Sequence, residues 1–199
     1  MKNTYTTTKI TLVFICILGL MTCTDQDALS GDNFESVKEV YTVLAEKAIT
    51  AQADFDFDSW ADMLSDDVEF TFPNDATTMA NKIVGKAAVI AYWKKWQTCT
   101  QIKTLQFTGF NHAPFKSNKK LTISGLSGIY VFSLFSSHII FNNGEIAEGQ
   151  MNYCFHFNKE KFIDRCYVNY DRAPIIKIIA HFPICPASFG ESSFGSFVQ

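Results

Sequence analysis

The sequence lacks the signatures that identify most nucleic-acid-binding proteins and many enzymes. Its 17 lysines and arginines stand against 20 aspartates and glutamates, and they form no basic cluster. Nucleic-acid binding depends on such a cluster, so we expect no nucleic-acid partner, and acidic partners are equally disfavoured. No nucleophile motif, phosphate-binding loop or paired-carboxylate site is present. Function must therefore be inferred from the fold and from single side chains.

The six cysteines show neither a CxxC motif nor a Cys/His spacing typical of metal sites. We therefore expect no metal and no cofactor. If Cys16 leaves with a signal peptide and Cys23 is lipidated, four candidates for free thiols remain: Cys99, Cys154, Cys166 and Cys185. An exported protein could oxidise them, but buried free thiols are the default expectation.

The N-terminus has no apolar run long enough to cross a bilayer. Residues 12–21 are continuously apolar, whereas a membrane span takes about 20 residues. Lys2 and Lys9 precede this run, and Leu20-Met21-Thr22-Cys23 resembles the lipobox of bacterial lipoproteins, in which the cysteine is lipidated. Ordinary secretion with cleavage nearby and an uncleaved anchor are the alternatives. We expect a protein of the bacterial cell envelope, attached to the membrane through lipid on Cys23 and facing the periplasm or the cell surface.

The chain divides into four predicted parts. Residues 1–22 are the lipoprotein signal peptide, 23–33 a tether, 34–180 the folded domain and 181–199 a C-terminal tail. The sequence is 47% hydrophobic and 15% aromatic, with 19 phenylalanines. This content supports one good core, with a bulky interior or an aromatic-lined pocket.

Helical periodicity dominates the first half of the domain, and strand patterns follow it. Asp32 and Glu35 have the spacing of a capping box, and an apolar stripe continues to Ala48. Residues 50–54 are predicted as a linker, and residues 74–82 as a polar loop. The predicted elements are helices beginning at Asp32, at Asp56 or Asp58 and at Gly85, and strands at residues 68–73 and 102–110.

Residues 128–171 read as three antiparallel strands. Asn143-Gly144 is the strongest hairpin signal and predicts a two-residue type I′ turn. That turn places Tyr153 opposite Leu134 and His138 opposite Gly149. A second two-residue turn at residues 159–160 places Tyr153 opposite Cys166.

Alternation along these strands divides their side chains between two faces. Cys154 and Cys166 fall on opposite faces, which argues against a disulfide between them. A change of one residue in either turn would exchange the faces. The predicted inward face carries Phe132, Leu134, Ser136, His138, Met151, Tyr153, Phe155, Phe157, Phe162, Cys166, Val168 and Tyr170.

The outer side of the first of these strands is predicted to be an exposed apolar patch. A patch of this kind usually contacts a partner, so a homodimer is expected. Its residues are Ile129, Val131, Phe135, Ile139 and Phe141.

Two residues are candidates for acid/base catalysis. His138 is placed on the inward face near the open end of the sheet, and histidine is suited to act as a general base. A histidine hydrogen-bonded within the sheet is the alternative. Asp171 closes the last strand and is either a pocket carboxylate or a cap for the segment that follows. Asp164 also falls on the inward face, where its position beside a turn predicts solvent exposure.

Seven aromatic residues could line a ligand pocket, although aromatic stripes at helical spacing more often belong to a core. They are Tyr41, Trp60, Tyr92, Trp93, Trp96, Tyr153 and Tyr170.

The order of elements and two stretches resemble the nuclear transport factor 2-like superfamily, and its SnoaL-like branch in particular. These stretches are FDSWADMLSDDVEFTFP at residues 57–73 and KFIDRCYVNYD at residues 161–171. The resemblance covers residues 34–179. It implies an α+β fold shaped as a cone, with three N-terminal helices packed on a curved antiparallel sheet and a pocket at the wide end.

The resemblance also implies a range of functions, among them ketosteroid isomerases, polyketide cyclases, epoxide hydrolases and ligand-binding proteins. The isomerase base falls at Phe72, which cannot accept a proton. The two oxyanion-hole positions fall at Tyr41 and Tyr153. We therefore expect a protein that binds a small apolar or aromatic ligand. The alternatives are an enzyme that uses acid/base catalysis on a hydrophobic substrate and an interaction module with no ligand.

Overall fold

The computed structural model describes residues 33–72 and 82–179 of the 199-residue chain. All of these residues belong to one compact unit that begins at Asn33. The predicted signal peptide, the predicted lipidation site at Cys23 and the predicted tail at 181–199 lie outside the described residues. Within the described ranges, no helix has the length and apolar character needed to cross a membrane.

In the described ranges, three helices of unequal length precede the long strands, and a fourth follows them. Asp56 caps the second helix, since its carboxylate accepts a hydrogen bond from the Ser59 N–H. The helices are α1 (Val40–Ala53), α2 (Phe57–Ala61), α3 (Lys86–Thr100) and α4 (Ala173–Ile179).

Seven strands form one sheet in the order β1-β4-β5-β6-β7-β2-β3. All neighbouring pairs are antiparallel except β2 and β7, which are parallel. The strands are β1 (Phe34–Ser36), β2 (Leu64–Thr71), β3 (Lys82–Val84), β4 (Ile102–Ser117), β5 (Gly128–Phe141), β6 (Ile146–Phe157) and β7 (Ile163–Tyr170).

Several predicted boundaries are wrong. Phe34–Ser36 is a strand paired with β4, so the first helix begins eight residues after Asp32, at Val40. The predicted linker at 50–54 is mostly the end of α1, which continues to Ala53. The end of the predicted polar loop, Lys82, opens β3. These short or edge elements depend on neighbouring strands, which local patterns do not reveal.

Strand β4 is longer than predicted and bends in its middle. Its pairing with β5 shifts between Thr108 and Asn111, and Gly109 has φ 68° at this point. A glycine in the left-handed region is typical of a β-bulge, which bends and twists the strand. This bulge allows a 16-residue strand to curve with the sheet.

The three predicted strands of residues 128–171 are present, but the β5–β6 register is displaced by one residue. Tyr153 pairs with Ser133, and Gly149 pairs with Ser137. The Phe141 N–H donates to the Glu145 carbonyl, so the loop has three residues, and its last residue, Gly144, has φ 87°. This is a type I turn followed by a left-handed residue, not a type I′ turn.

The β6–β7 register is displaced by two residues, so its faces are preserved. Tyr153 pairs with Val168, and Phe155 pairs with Cys166. The β6–β7 loop also has three residues, and the last of them, Lys161, has φ 69°. A bulge between His156 and Phe157 adds a further change of register. The predicted faces therefore hold for β6 and for Cys166, Val168 and Tyr170 of β7. The inward placement of Asp164 is wrong, because the bulge turns it to the outer face, and the prediction for β5 is reversed.

The reversal moves the predicted exposed patch into the core. Val131, Phe135 and Phe141 have no exposed surface, and Ile139 is 1% exposed. They lie on the inner face, under the helices, because the three-residue turn shifts β5 by one position. The homodimer prediction loses its stated basis, although the oligomeric state itself stays a prediction.

Candidate functional site

An aromatic cluster fills the inner face between α2, α3 and β2. The Trp93 ring contacts those of Trp60, Phe70 and Trp96, with centroids 4.9 to 6.1 Å apart. Trp60 is 1% exposed, and Trp93 and Trp96 are each 6% exposed. Edge-to-face contacts of buried rings are typical of a packed core. Trp60 and Trp96, both predicted as pocket residues, are therefore part of this core.

A polar pair lies within this apolar interior. Gln52 lies in the last turn of α1, and it is only 2% exposed. It lies beside the hydroxyl of Tyr153 on β6, a residue buried to the same degree. Burial raises the pKa of Tyr153 well above its usual value, and Cys166 and Tyr170 add to the rise, while the interaction with Gln52 opposes it. The Gln52 Nε2 has no hydrogen bond of good geometry.

Two further tyrosines lie at the edge of the same interior. Burial raises the pKa of both Tyr92 and Tyr170, and Arg172 lowers both pKa values by a smaller amount. The Tyr92 ring also lies 4.8 Å from that of Phe72, the residue at the position of the isomerase base. Phe72, Tyr92 and Tyr170 are half-buried, so they form the accessible side of this interior.

The structure thus brings together three of the seven predicted pocket residues, Tyr92, Tyr153 and Tyr170. Tyr41 lies elsewhere, since its ring packs against Phe157 with centroids 5.3 Å apart. Tyr41 and Tyr153 therefore do not form the donor pair that the resemblance implied. Gln52 was missed because a glutamine inside a predicted linker carries no signal of burial.

The two predicted catalytic residues lie outside the interior. His138 is on the outer face, where its Nδ1 is 2.7 Å from Oε1 of Glu148. Its predicted inward orientation is wrong, because the extra turn residue reverses β5. The Asp171 carboxylate accepts a hydrogen bond of 2.9 Å from the Ala173 N–H, which makes it a cap for α4. This was one of the two roles predicted for Asp171.

The described cysteines differ in whether they are free or disulfide-bonded. Cys154 and Cys166 are free thiols on opposite faces of the sheet, as predicted. Burial raises the pKa of Cys154 to about 11 and that of Cys166 well above its usual value, so neither is a ready nucleophile. Cys99 is disulfide-bonded, and its partner lies outside the described residues. The prediction of a free thiol at Cys99 is therefore wrong.

A second polar cluster, on the outer face, was not predicted as a site. His156 is 5% exposed, and its Nδ1 is 2.5 Å from Oδ1 of Asp164. The side chain of Asp164 is 15% exposed, so its predicted solvent exposure is wrong. Asp164 is the extra residue of the β7 bulge between Ile163 and Arg165, and bulges redirect side chains. A bulge of this kind leaves no clear mark in the sequence.

His112 was also not predicted as part of a site. Its Nδ1 lies 2.8 Å from the Ser133 hydroxyl, and its Nε2 lies 3.4 Å from Oε2 of Glu46. These contacts join β4, β5 and α1 on the inner side. They link these three elements, and the buried Nε2 of His112 makes no hydrogen bond within the described structure.

An open groove of about 630 Å³ lies between α1 and α2. Its walls include Glu46, Lys47, Asp54, Asp56 and Asp62. Within the described parts of the chain, no group of three or more His, Cys, Asp or Glu side chains is placed to hold a metal ion. The groove has no buried, unpartnered group and therefore suggests no ligand.

Comparison with known proteins identifies the fold. A candidate isomerase from Bacillus subtilis superposes with a TM-score of 0.55 at 18% identity, covering 74% of this chain and 99% of the other. A candidate SnoaL-like polyketide cyclase from Shewanella denitrificans gives 0.52 at 13% identity, covering 72% and 98%. A nuclear transport factor 2-like protein from Burkholderia xenovorans gives 0.51 at 11% identity, covering 73% and 99%. No protein-family model and no curated protein matches the sequence. The chain has the nuclear transport factor 2-like fold, which confirms the predicted α+β class, and identities this low establish the fold alone.

Proposed function

We propose that the interior of this nuclear transport factor 2-like domain binds a small apolar or aromatic ligand that carries a hydrogen-bond-accepting oxygen. The observation that carries the proposal is the Gln52 side chain, which is 2% exposed and whose Nε2 makes no hydrogen bond of good geometry, although it lies beside the Tyr153 hydroxyl. Buried donors are normally paired, and an unpaired one costs about 1–3 kcal/mol. A ligand oxygen would supply the acceptor.

The neighbouring tyrosines support the same chemistry. Tyr153 is buried and Tyr92 and Tyr170 are half-buried, and burial raises the pKa of each, so each stays a neutral hydroxyl near neutral pH. A core with no polar task would be served better by phenylalanine, because burying a hydroxyl is costly. The aromatic surroundings suit the apolar body of the ligand, and the hydroxyl and amide groups suit its oxygen.

Tryptophan fluorescence titration with a matched pair of probes, 2-acetylnaphthalene and 2-isopropylnaphthalene, tests the proposal. We expect the ketone to bind more tightly than the hydrocarbon. Tyr153→Phe or Gln52→Leu should weaken binding of the ketone about tenfold, which corresponds to one hydrogen bond of about 1.4 kcal/mol. Neither variant should weaken binding of the hydrocarbon. Tyr167→Phe, on the outer face, is the control. Absence of binding by both probes would refute the proposal, and equal binding of the two would refute the role of the oxygen.

An isomerase- or cyclase-type reaction is the second proposal, favoured by the same donors. The neutral hydroxyl of Tyr153 could stabilise an enolate oxygen, as oxyanion-hole donors do. Of the candidate bases, Phe72 at the family position cannot accept a proton, His138 faces outward, and His112 on the inner side lies between Ser133 and Glu46. Conversion of a β,γ-unsaturated ketone to its conjugated isomer, followed by ultraviolet absorbance, is the assay. A rate equal to that of buffer alone would exclude this reaction.

We also propose that the protein is exported and lipid-anchored, with residues 1–22 as signal peptide, Cys23 as lipidation site, 23–33 as tether, 34–180 as domain and 181–199 as tail. The disulfide at Cys99 supports export, because disulfides persist in oxidising compartments. Metabolic labelling with a fatty acid should label the protein, and Cys23→Ser should abolish the label. Label retained in Cys23→Ser would contradict the proposal.

A homodimer is the remaining part of the proposal. Phe132 on the outer face of β5 is 41% exposed and offers an apolar contact in place of the buried patch. Light scattering on the mature protein should give twice the monomer mass. A monomer mass at high protein concentration would refute the dimer.

A further inference from the structure

One end of the outer face of the sheet is covered by the segment of residues 118–127, which we call the outer loop. Two side chains of the sheet hold the second half of this loop, residues 124–127. The Tyr130 hydroxyl lies 2.8 Å from the Leu126 carbonyl and 2.5 Å from the Ser124 hydroxyl. The His156 Nε2 lies 3.3 Å from the Ser127 carbonyl. This half of the loop therefore has one imidazole anchor, His156, and one phenol anchor, Tyr130.

The environment of His156 fixes the position of its ring. The ring of Tyr130 lies 4.7 Å away on one side, and Asp164 holds Nδ1 from β7. On the loop side, Gly128 has φ 137°, and a Cβ there would lie 2.6 Å from Nε2. Only glycine leaves room for the imidazole to reach the Ser127 carbonyl.

Both ring nitrogens of His156 face acceptors. Nδ1 faces a carboxylate oxygen, and Nε2 faces a carbonyl oxygen. A neutral imidazole has one N–H, so one nitrogen would present a lone pair to an oxygen lone pair at a site that is 5% exposed. This conflict disappears if the pair holds one more proton, either as imidazolium with carboxylate or as neutral imidazole with a protonated carboxyl group.

We propose that the His156–Asp164 pair holds this additional proton and that the proton latches the outer loop onto the sheet, so that the loop loosens when the pair loses it at higher pH. The latch lies on the face opposite the interior ligand site and does not depend on it. Loss of the proton removes the N–H donor that faces Ser127, whereas the Tyr130 anchor remains. The latch therefore controls the end of the loop next to Gly128.

The other titratable and charged groups around the pair do not supply a replacement donor to Ser127. From β7, Arg165 donates to the Asp164 backbone carbonyl at 2.6 Å and lies 3.4 Å from Oε2 of Glu69 on β2. Tyr167 of β7 and Cys154 of β6 lie on the same face, and burial raises the pKa of Tyr167 to about 12 and that of Cys154 to about 11. Burial also raises the pKa of Tyr130 on β5. These groups stay in one charge state while a histidine titrates.

Nitrogen-15 NMR of the purified wild-type protein tests the proton count without any substitution. At mildly acidic pH, we expect both His156 ring nitrogens to carry protons, or Nε2 alone to carry one beside a protonated Asp164. Raising the pH should remove one proton from the pair. A neutral ring with its only proton on Nδ1 at all pH values, beside an ionised Asp164, would overturn the proposal.

Amide hydrogen exchange, corrected for its intrinsic pH dependence, tests the latch. Leu121 and Gly125 have internal hydrogen bonds that report whether the loop is closed. Across the pH range in which the NMR titration shows loss of the proton, their protection should fall roughly tenfold, as for loss of one charged hydrogen bond. Protection that stays constant over this range would overturn the proposal.

The substitution His156→Gln removes the titration, and Asp164→Asn removes the carboxylate. Each should give protection that no longer depends on pH. His138→Gln is the matched control, since His138 is also paired with an acid on the outer face but lies away from the loop. Retention of the wild-type pH dependence in His156→Gln, or its loss in His138→Gln, would contradict the latch.

Discussion

The two faces of strand β5 carry similar side chains in very different surroundings. On the inner face, Phe135 has no exposed surface, and its ring lies 5.2 Å from that of Tyr153. On the outer face, three positions away, Phe132 is 41% exposed. Residue type therefore does not decide which face is buried. The turn at residues 142–144 decides it, because one additional residue exchanges every side chain between the faces.

The largest effect should come from this pair of phenylalanines. Phe135→Ala should lower the free energy of unfolding by about 3–5 kcal/mol, because it leaves a cavity in the core. Phe132→Ala should cost less than about 1 kcal/mol, as is typical of surface substitutions. Chemical denaturation of both variants measures the difference. A two-residue turn predicts the opposite order, and that order would refute the observed register.

Burial also distinguishes two histidine–acid pairs on the outer face. The His156 and Asp164 side chains are 7% and 15% exposed, whereas those of His138 and Glu148 are 35% and 72% exposed. Removing one partner of a buried pair costs roughly 3 kcal/mol, and an exposed pair contributes about 0–1 kcal/mol. Asp164→Asn should therefore destabilise the protein much more than Glu148→Gln in denaturation at mildly acidic pH. Equal costs would show that burial does not distinguish the two pairs.

The free thiol on the outer face predicts a loss of stability in alkali. Burial raises the pKa of Cys154 from 9.0 to about 11, so the thiol ionises first in the unfolded state. Its contribution is fully present below pH 9 and is lost as the pH rises toward 11, by at most about 2–3 kcal/mol. Cys154→Val should flatten this part of the pH profile of unfolding. An unchanged slope between these pH values would assign the alkaline loss to other groups.

Much of the fold could be predicted, because it depends on local signals. The Gly85 helix start, the Asp56 cap, and the inner faces of β6 and β7 follow from periodicity and capping chemistry. The inner face of β5 could not be predicted, since Asn143-Gly144 is compatible with turns of two and three residues. The site was harder still. Gln52 and Tyr153 meet only through the crossing of α1 over β6, and His156 meets Asp164 only through a bulge.

The smallest effect should come from the two turns themselves, which have the same geometry but different residues in the left-handed position. Gly144 occupies it at φ 87°, and Lys161 occupies it at φ 69°. A non-glycine residue there costs roughly 1–2 kcal/mol, while glycine loses more entropy on folding by about 0.4–1 kcal/mol. Lys161→Gly should therefore raise the free energy of unfolding by up to about 1 kcal/mol, and Gly144→Ala should lower it by a similar amount. Thermal unfolding of the two variants gives shifts of opposite sign if both turns close through a left-handed third residue. A stabilising Gly144→Ala would show that the β5–β6 turn is not closed in this way, and the assignment of Phe135 to the core would then need another cause.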